Sequence, residues 1–186
     1  MYILPLLFGF AFDSASAFTA AYSQWWGNKI GRLVSLVLRN ILGIPLWVLG
    51  FALAIRTPSV PLFPATPLID LLGWLLVIAG AAVILWALPV LGRRAAVPAM
   101  GDTLAAGGPY AYVRHPIYSG TLLEFAGLFL LHATRSTILA CFLGISWLFI
   151  QAKLEEVDLL ERIPSYREYM YRVPRFVPRL RRMRSC

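Results

Sequence analysis

Long apolar runs separated by short polar segments dominate this sequence. Because a membrane-spanning helix needs about 20 mostly apolar residues, three of these runs predict one span each, and a fourth is too long for a single span. The fourth run breaks at 132–136, which predicts a hairpin of two shorter spans. The five predicted spans cover residues 2–22, 33–55, 69–91, 117–131 and 136–151. We therefore expect an all-α polytopic membrane helix bundle, a single domain over 1–186 that ends in a tail at 152–186.

The composition indicates that the bilayer is the solvent of this chain. Hydrophobic residues make up 59% of the 186 residues and charged residues 14%, against roughly 25% charged residues in soluble domains. A soluble domain of this size could not bury so much apolar surface. This argues against a secreted disulfide scaffold, a disordered chain or an ordinary cytosolic enzyme. The distant Cys141 and Cys186 indicate neither a disulfide framework nor a metal site.

The first apolar run contains two features that allow other interpretations. Its Ser14-Ala15-Ser16-Ala17 segment resembles a signal-peptide cleavage site, but no basic residue precedes it and Asp13 interrupts it, so we interpret it as a retained span. Asp13 itself fits a helix-end residue near the outer interface, or a polar residue on a transport path. The first interpretation is favoured.

Charge placement predicts the orientation of the bundle. The net charge is +8, and with five spans only Arg56 and Arg135 of the 17 Lys and Arg residues fall on one side. The other fifteen fall on the opposite side, so the positive-inside rule predicts a cytoplasmic C-terminus and an outside N-terminus. The basic residues are then topology signals and contacts to membrane lipids, and a nucleic-acid partner is not expected.

The loop before the hairpin is the first candidate wall of a polar site. It emerges on the same predicted face as the tail, and it places Arg114 and His115 just before Pro116, which suits the first turn of a helix. The unpaired N–H groups of that turn, together with Arg114, would bind an anion. Alternatively, both residues are interfacial side chains whose polar ends reach the headgroup region.

The tail is the second candidate wall. Glu155, Asp158 and Glu161 are spaced to share one helical face. They fit an amphipathic interfacial helix, or carboxylates that bind hydroxyls, amines or Arg114. Further on, the spacing of two tyrosines places them on one helical face, and two prolines predict an extended strip with Arg and Phe between them. These residues are Tyr166 and Tyr169, then Pro174, Arg175, Phe176 and Pro178.

Several of these motifs, in this order, resemble the isoprenylcysteine carboxyl methyltransferase family and the related phospholipid N-methyltransferases. The pattern G-P-Y-x-Y-x-R-H-P-x-Y-x-G at 108–120 is followed by the hairpin, E-E-x-x-L at 155–159, Y-x-x-Y at 166–169 and P-R-F-x-P at 174–178. The resemblance implies an integral membrane enzyme that uses S-adenosyl-L-methionine. It also implies a cofactor pocket between the loop before the hairpin and the segment after it. Ile163 departs from the family, where an aromatic residue is common, and we expect only a packing change.

The resemblance also implies roles for individual residues. Arg114 or Arg175 would hold a carboxylate of the cofactor or of the acceptor, and His115 would orient a ligand or act as a base. Glu155 or Glu156 would bind the ribose hydroxyls or the amine of the cofactor. The implied catalytic residues are His115, Arg114, Glu155 and Arg175. The implied cofactor contacts are Tyr110, Val113, Arg114, His115, Tyr118, Glu155, Glu156, Tyr166, Tyr169 and Pro178.

The acceptor stays open, because residues 1–90 carry no motif of this family. An isoprenylcysteine-like carboxyl group is the first candidate, and a phospholipid amine, a small thiol or a phenol are alternatives. In each case the partner would be a lipophilic or lipid-modified molecule. Three other classes remain: a small transporter that uses Asp13, a non-catalytic membrane scaffold, and a haem protein. The last is discounted, because its ligands His115 and His132 would lie at opposite ends of one span.

Overall fold

The computed structural model describes residues 1–92 and 98–179. Within them, regular secondary structure is helical apart from one isolated bridge between Pro61 and Thr134. The helices are α1 (Ile3–Ser16), α2 (Thr19–Trp26), α3 (Asn28–Leu36), α4 (Ile44–Arg56), α5 (Pro67–Leu91), α6 (Pro116–Leu131), α7 (Arg135–Arg162) and α8 (Tyr166–Arg172). A π-helical segment, Val37–Gly43, joins α3 to α4, and a 3-10 turn, Gly108–Ala111, precedes α6.

Two antiparallel helix pairs, α1 with α4 and α5 with α6, form the bundle together with α7. Helix α1 runs antiparallel to α4, and α5 runs antiparallel to α6 with glycines at their crossing. A Cβ atom added at Gly120 would lie 2.6 Å from the carbonyl oxygen of Gly80, so only glycine permits this approach. Helix α7 packs against α1, α4 and α6. The core between them contains the stacked ring pairs Phe10–Trp147 and Phe51–Phe125.

The predicted all-α membrane bundle is confirmed. Three helical runs are long and apolar enough to cross a bilayer: Thr19–Arg56, Pro67–Leu91 and Arg135–Arg162. Two shorter apolar helices, α1 and α6, complete the five predicted apolar segments. The predicted break in the fourth run is also confirmed, because α6 ends at Leu131 and α7 begins at Arg135.

The helix boundaries differ from those of the predicted spans. Helix α1 ends at Ser16 rather than near residue 22, and the second helical run begins at Thr19 rather than at residue 33. The second arm of the hairpin is not short, because α7 has 28 residues and includes the first part of the predicted tail. At 1.5 Å per residue it is about 42 Å long. It continues because no helix breaker occurs before Pro164, and its charged turns extend beyond the apolar ones.

The two ends of the bundle carry different connections. The 57–66 loop contacts the α6–α7 turn at one end, where the N–H of Leu62 donates to the carbonyl of Ala133. The loop before α6, α8 and the α2–α3 region gather at the other end. Five of the arginines that entered the charge argument lie outside the described residues: Arg93, Arg94, Arg181, Arg182 and Arg184.

Candidate active site

A cavity of about 420 Å³ opens at the end of the bundle that carries α8. Its walls come from three parts of the chain: the first half, the loop before α6 with the first turns of α6, and the region from α7 to α8. The polar and charged residues that line it include Asp13, Arg39, Asn40, Asp102, Arg114, His115, Tyr118, Glu155, Asp158, Arg162, Tyr166 and Tyr169. The two predicted walls therefore do meet at one site, and residues of the first half complete it.

The tail strip after α8 is fastened to the start of α6. The backbone N–H groups of Arg114 and His115 donate to the carbonyls of Pro174 and Arg175, at 2.8 and 3.0 Å. The hydroxyl of Ser119 donates to the carbonyl of Phe176 at 2.7 Å. The strip is not extended as its prolines predicted, because the backbone bends at 175–177, but its carbonyls still accept these bonds from the start of α6. The strip predicted from the two prolines thus fixes the backbone on which His115 is mounted.

Arg114 joins the loop to the end of α8. Its Nη1 donates to the carbonyls of Met170 and Val173 at 2.7 and 3.2 Å, at the C-terminal end of that helix. These carbonyls lack helical partners and carry the negative end of the helix dipole, so a guanidinium suits them. The Nη2 atom lies 3.0 Å from Oε1 of Glu156.

Glu156 is the buried centre of an ionic cluster. Its carboxylate faces Arg114, accepts from Nε of Arg175 at 3.0 Å, and lies 3.2 Å from Nε2 of His115. The side chain is 1% exposed and does not line the cavity. Its contacts hold the loop, the tail strip and α7 together, and its implied contact with the cofactor stays a prediction.

His115 presents its other face to the cavity. Its ring stacks on that of Tyr118 with centroids 5.3 Å apart and planes inclined by 1°. Nδ1 lies 3.8 Å from Oε2 of Glu155, a residue of the cavity wall. Glu156 on one side and Tyr118 on the other fix the orientation of the imidazole. His115 and His132 flank opposite ends of α6, so the two rings are too far apart to bind one haem iron.

Glu155 connects this cluster to the first half of the chain. Its Oε1 accepts from Nη2 of Arg39 at 2.6 Å, and Nε of Arg39 lies 3.6 Å from Oδ1 of Asp13. Sequence reasoning missed this contribution to the site. The available signal was the polarity of Asp13 and of Arg39 and Asn40 within apolar runs, since such residues generally face a bundle interior or a cavity. Asp13 does lie near a helix end, as the favoured interpretation expected, but it is buried and lines the cavity with Arg39.

Arg162 fixes the loop that covers one side of the cavity. It donates to Asp158 at 2.6 Å, and to Asp102 and the carbonyl of Ala99 at 2.8 Å. Asp158 also accepts from the N–H of Ala20 at 2.7 Å. The predicted acidic face thus divides: Glu155 and Asp158 face the cavity, whereas Glu161 is exposed.

Two tyrosines of α8 close the outer part of the cavity, and Ile163 packs beside them as expected. The hydroxyl of Tyr169 donates to the carbonyl of Tyr110 at 2.6 Å, and burial raises the pKa of Tyr169 to about 12, so this donor persists at neutral pH. Tyr166 is 3% exposed, and its hydroxyl has no hydrogen-bond partner among the described residues. Burial also raises the pKa of Tyr166.

The structure separates the predicted site residues into two groups. Those on the cavity wall are Tyr110, Arg114, His115, Tyr118, Glu155, Tyr166 and Tyr169. Those away from the wall are Val113, Glu156, Arg175 and Pro178. Val113 is buried, Arg175 pairs with Glu156, and Pro178 is exposed. A sequence motif does not distinguish a side chain that touches a ligand from one that supports its neighbour.

Comparisons with known proteins agree with this architecture. Residues 68–167, more than half of the chain, match the family described as phospholipid methyltransferase. The cobalt-zinc-cadmium resistance protein CzcN of Cupriavidus metallidurans is 33% identical over 119 residues, which cover 62% of this chain. The chain spans about half the length of that relative, 51%. No solved structure shows a significant match.

Proposed function

Because this chain belongs to the phospholipid methyltransferase family, and is therefore a membrane methyltransferase, we propose that it transfers a methyl group from S-adenosyl-L-methionine to a lipophilic acceptor. The observation that carries the proposal is the cavity itself. Polar groups of Arg114, His115 and Glu155 converge there beside apolar side chains of the long apolar helices. A polar cofactor and a lipid-like acceptor need that combination of surfaces.

The residues present fit the cofactor. Two buried polar atoms of cavity-lining residues lack hydrogen-bond partners among the described residues, Nε of Arg114 and the hydroxyl of Tyr166. Such atoms are costly to bury unpaired and suit a polar ligand. Arg114, Tyr166 and Glu155 would hold its carboxylate, hydroxyl and amine groups. When bound, the cofactor supplies a methyl group activated by a positively charged sulfur.

The acceptor would approach from the bilayer. One side of the cavity is lined by Ile44 and Trp47 of α4. The other side is lined by Leu88 of α5 and Ile117 of α6. Helix α5 packs on α6, and α4 packs on α1 and α7, so these apolar residues come from two different helix pairs. A hydrocarbon tail can remain in lipid while its polar head enters the cavity.

Two acceptor chemistries are supported. The motif resemblance favours an isoprenylcysteine-like carboxylate, and the matched family favours a lipid amine. Methyl transfer is an in-line displacement that requires alignment and exclusion of water. A carboxylate is already ionised and needs no base. An amine, a thiol or a phenol must lose a proton, and His115, whose Nδ1 lies 3.8 Å from Oε2 of Glu155 at the cavity wall, would be the base.

The test uses the full chain in lipid nanodiscs. His115→Ala and Glu155→Gln are each expected to lower methyl transfer from labelled S-adenosyl-L-methionine by at least about 100-fold, because each removes a group aimed at the cavity. The acceptors supplied are phosphatidylethanolamine and N-acetyl-S-farnesylcysteine. Calorimetry of cofactor binding gives a second readout that does not depend on the acceptor.

Two matched controls carry the same chemical changes outside the cavity. His132→Ala lies at the far end of α6, and Glu161→Gln lies on the exposed face of α7. Both should retain activity near that of the unmodified chain. Equal activity in all four variants would refute the site. Failure of the unmodified chain to bind the cofactor would instead favour a membrane scaffold.

A further inference from the structure

Asp13 has a buried carboxylate with few close donors. It is 6% exposed and lines the cavity from the last turn of α1. The indole N–H of Trp47 donates to its Oδ2 at 3.3 Å, while Ser16 and Arg39 lie 3.5 and 3.6 Å from Oδ1. An ionised carboxylate accepts about four hydrogen bonds. Both oxygens of Asp13 therefore retain capacity for a donor that enters the cavity.

The neighbouring carboxylates are satisfied much better. Asp158 accepts from Arg162 at 2.6 Å and from the backbone of Ala20 at 2.7 Å. Glu156 lies against two guanidinium groups. Among these buried acidic side chains Asp13 has the longest contacts, although it lies in an apolar helix. A buried acidic group with such distant donors indicates a functional partner.

The charge around Asp13 specifies the chemistry of that partner. Asp13 and Glu155 both face Arg39, so two carboxylates share one guanidinium at this end of the cavity. A group that donates N–H bonds or carries positive charge complements this pair of carboxylates. Arg39 holds the two carboxylates near each other and thus acts as a positioning residue.

The position of Asp13 and its neighbours in the chain supports a role in the choice of acceptor. Asp13, Arg39 and Trp47 lie outside residues 68–167, the part that matches the family, whereas Arg114, His115 and Glu155 lie inside it. The π-helical segment turns Arg39 and Asn40 toward the cavity from the second apolar run. Segments of this type occur frequently at functional sites.

We propose that Asp13 selects the acceptor by binding an amine on a lipophilic molecule and presenting its nitrogen to the methyl donor. The inference rests on the proposed function. A protonated amine first gives one proton to the carboxylate of Asp13. The nitrogen lone pair then forms the N–C bond, while the C–S bond of the donor breaks and its electron pair stays on sulfur. Asp13 finally releases its proton to water.

Asp13→Asn in the full chain tests the proposal. In nanodiscs that contain phosphatidylethanolamine, the apparent KM for the amine lipid should rise at least about tenfold or its methylation should disappear, as expected for the loss of a charge-assisted hydrogen bond. The Kd for S-adenosyl-L-methionine, measured by calorimetry, should stay within about twofold. Asp13→Glu keeps the charge and should restore part of the turnover. Asp70→Asn, in the first turn of α5 and outside the cavity, is the matched control.

The remaining outcomes separate the alternatives. A weaker cofactor Kd in Asp13→Asn would assign the carboxylate to the amine of the cofactor and overturn the acceptor role. Methylation of N-acetyl-S-farnesylcysteine alone, unchanged in the variant, would also overturn it. An unmodified chain that neither binds the cofactor nor methylates either lipid would refute the proposed function, and this inference with it. Melting temperature and monodisperse elution verify folding of every variant.

Discussion

At the residue scale, the site depends on how one buried carboxylate is shared. Glu156 contacts two arginines and the ring of His115; Arg114 and His115 come from the loop before α6, and Arg175 comes from the tail strip. The cluster is buried, so its attractions are screened less than those at the surface. Removal of the one negative group would leave two arginines near each other without compensation.

Glu156→Gln should therefore destabilise the α8 end of the bundle by about 3 kcal/mol, the usual cost of breaking a buried ion pair. The measurement is the melting temperature in detergent, together with the rate of proteolysis after α8. Glu168→Gln is the control, because Glu168 pairs with Arg172 at 3.5 Å on an exposed face. It should change stability by less than about 0.5 kcal/mol. Equal melting temperatures for the two variants would contradict the role of Glu156.

At the element scale, the contact of α5 with α6 depends on its glycines. Gly80 and Gly120 face each other, and Gly73 and Gly127 face each other two helical turns away. Small residues let two helix backbones approach closely in a membrane, where packing replaces the hydrophobic effect as the source of association. This crossing fixes the direction in which α6 presents Tyr118.

Gly120→Ala should separate the two helices and lower stability by about 1–3 kcal/mol, the usual effect of overpacking. The added Cβ would meet the carbonyl of Gly80, which belongs to the backbone and cannot rotate away. Gly107→Ala is a matched control, because a Cβ there has no atom within 4 Å and the residue has φ −92°. Thermal unfolding in detergent compares the two. If Gly107→Ala lowered the melting temperature as much as Gly120→Ala, the close approach of α5 and α6 would not be the cause of the effect.

The sequence predicted the apolar helices, but it predicted neither α2 and α3 as separate elements nor all the partners of the site residues. Apolar length located five helical segments, and Pro116 located the start of α6. The sequence could not show which of Glu155 and Glu156 is buried. Adjacent residues on a helix point about 100° apart, and only the packed neighbours decide which one is buried. The contact of Arg39 with Glu155 joins residues 116 positions apart, and local patterns carry no signal for such a pair.

At the scale of the whole molecule, the charge pattern predicts which end of the bundle faces the cytoplasm. The 57–66 loop lies at the end opposite α8. The positive-inside rule assigns the α8 end, and with it the cavity, to the cytoplasm. That side is also where a soluble, charged methyl donor would be available.

Cysteine labelling checks this orientation. In a Cys186→Ser background, where Cys141 is buried, Val60→Cys should react with an impermeant maleimide in intact spheroplasts. Tyr171→Cys should react only after permeabilisation. Both positions are well exposed, at 69% and 78%, so access depends on sidedness alone. Labelling of the two positions in the opposite order would reverse the predicted topology.

The hydrogen bonds between the tail strip and the start of α6 have a consequence for the synthesis of the protein. Pro174, Arg175 and Phe176 supply the carbonyls that hold Arg114, His115 and Ser119, and they follow every apolar helix in the chain. The strip can bind these residues only after α7 has been synthesised, because it follows α7 in the chain. The last apolar helix is therefore already part of the chain before the loop that precedes α6 acquires its backbone partners.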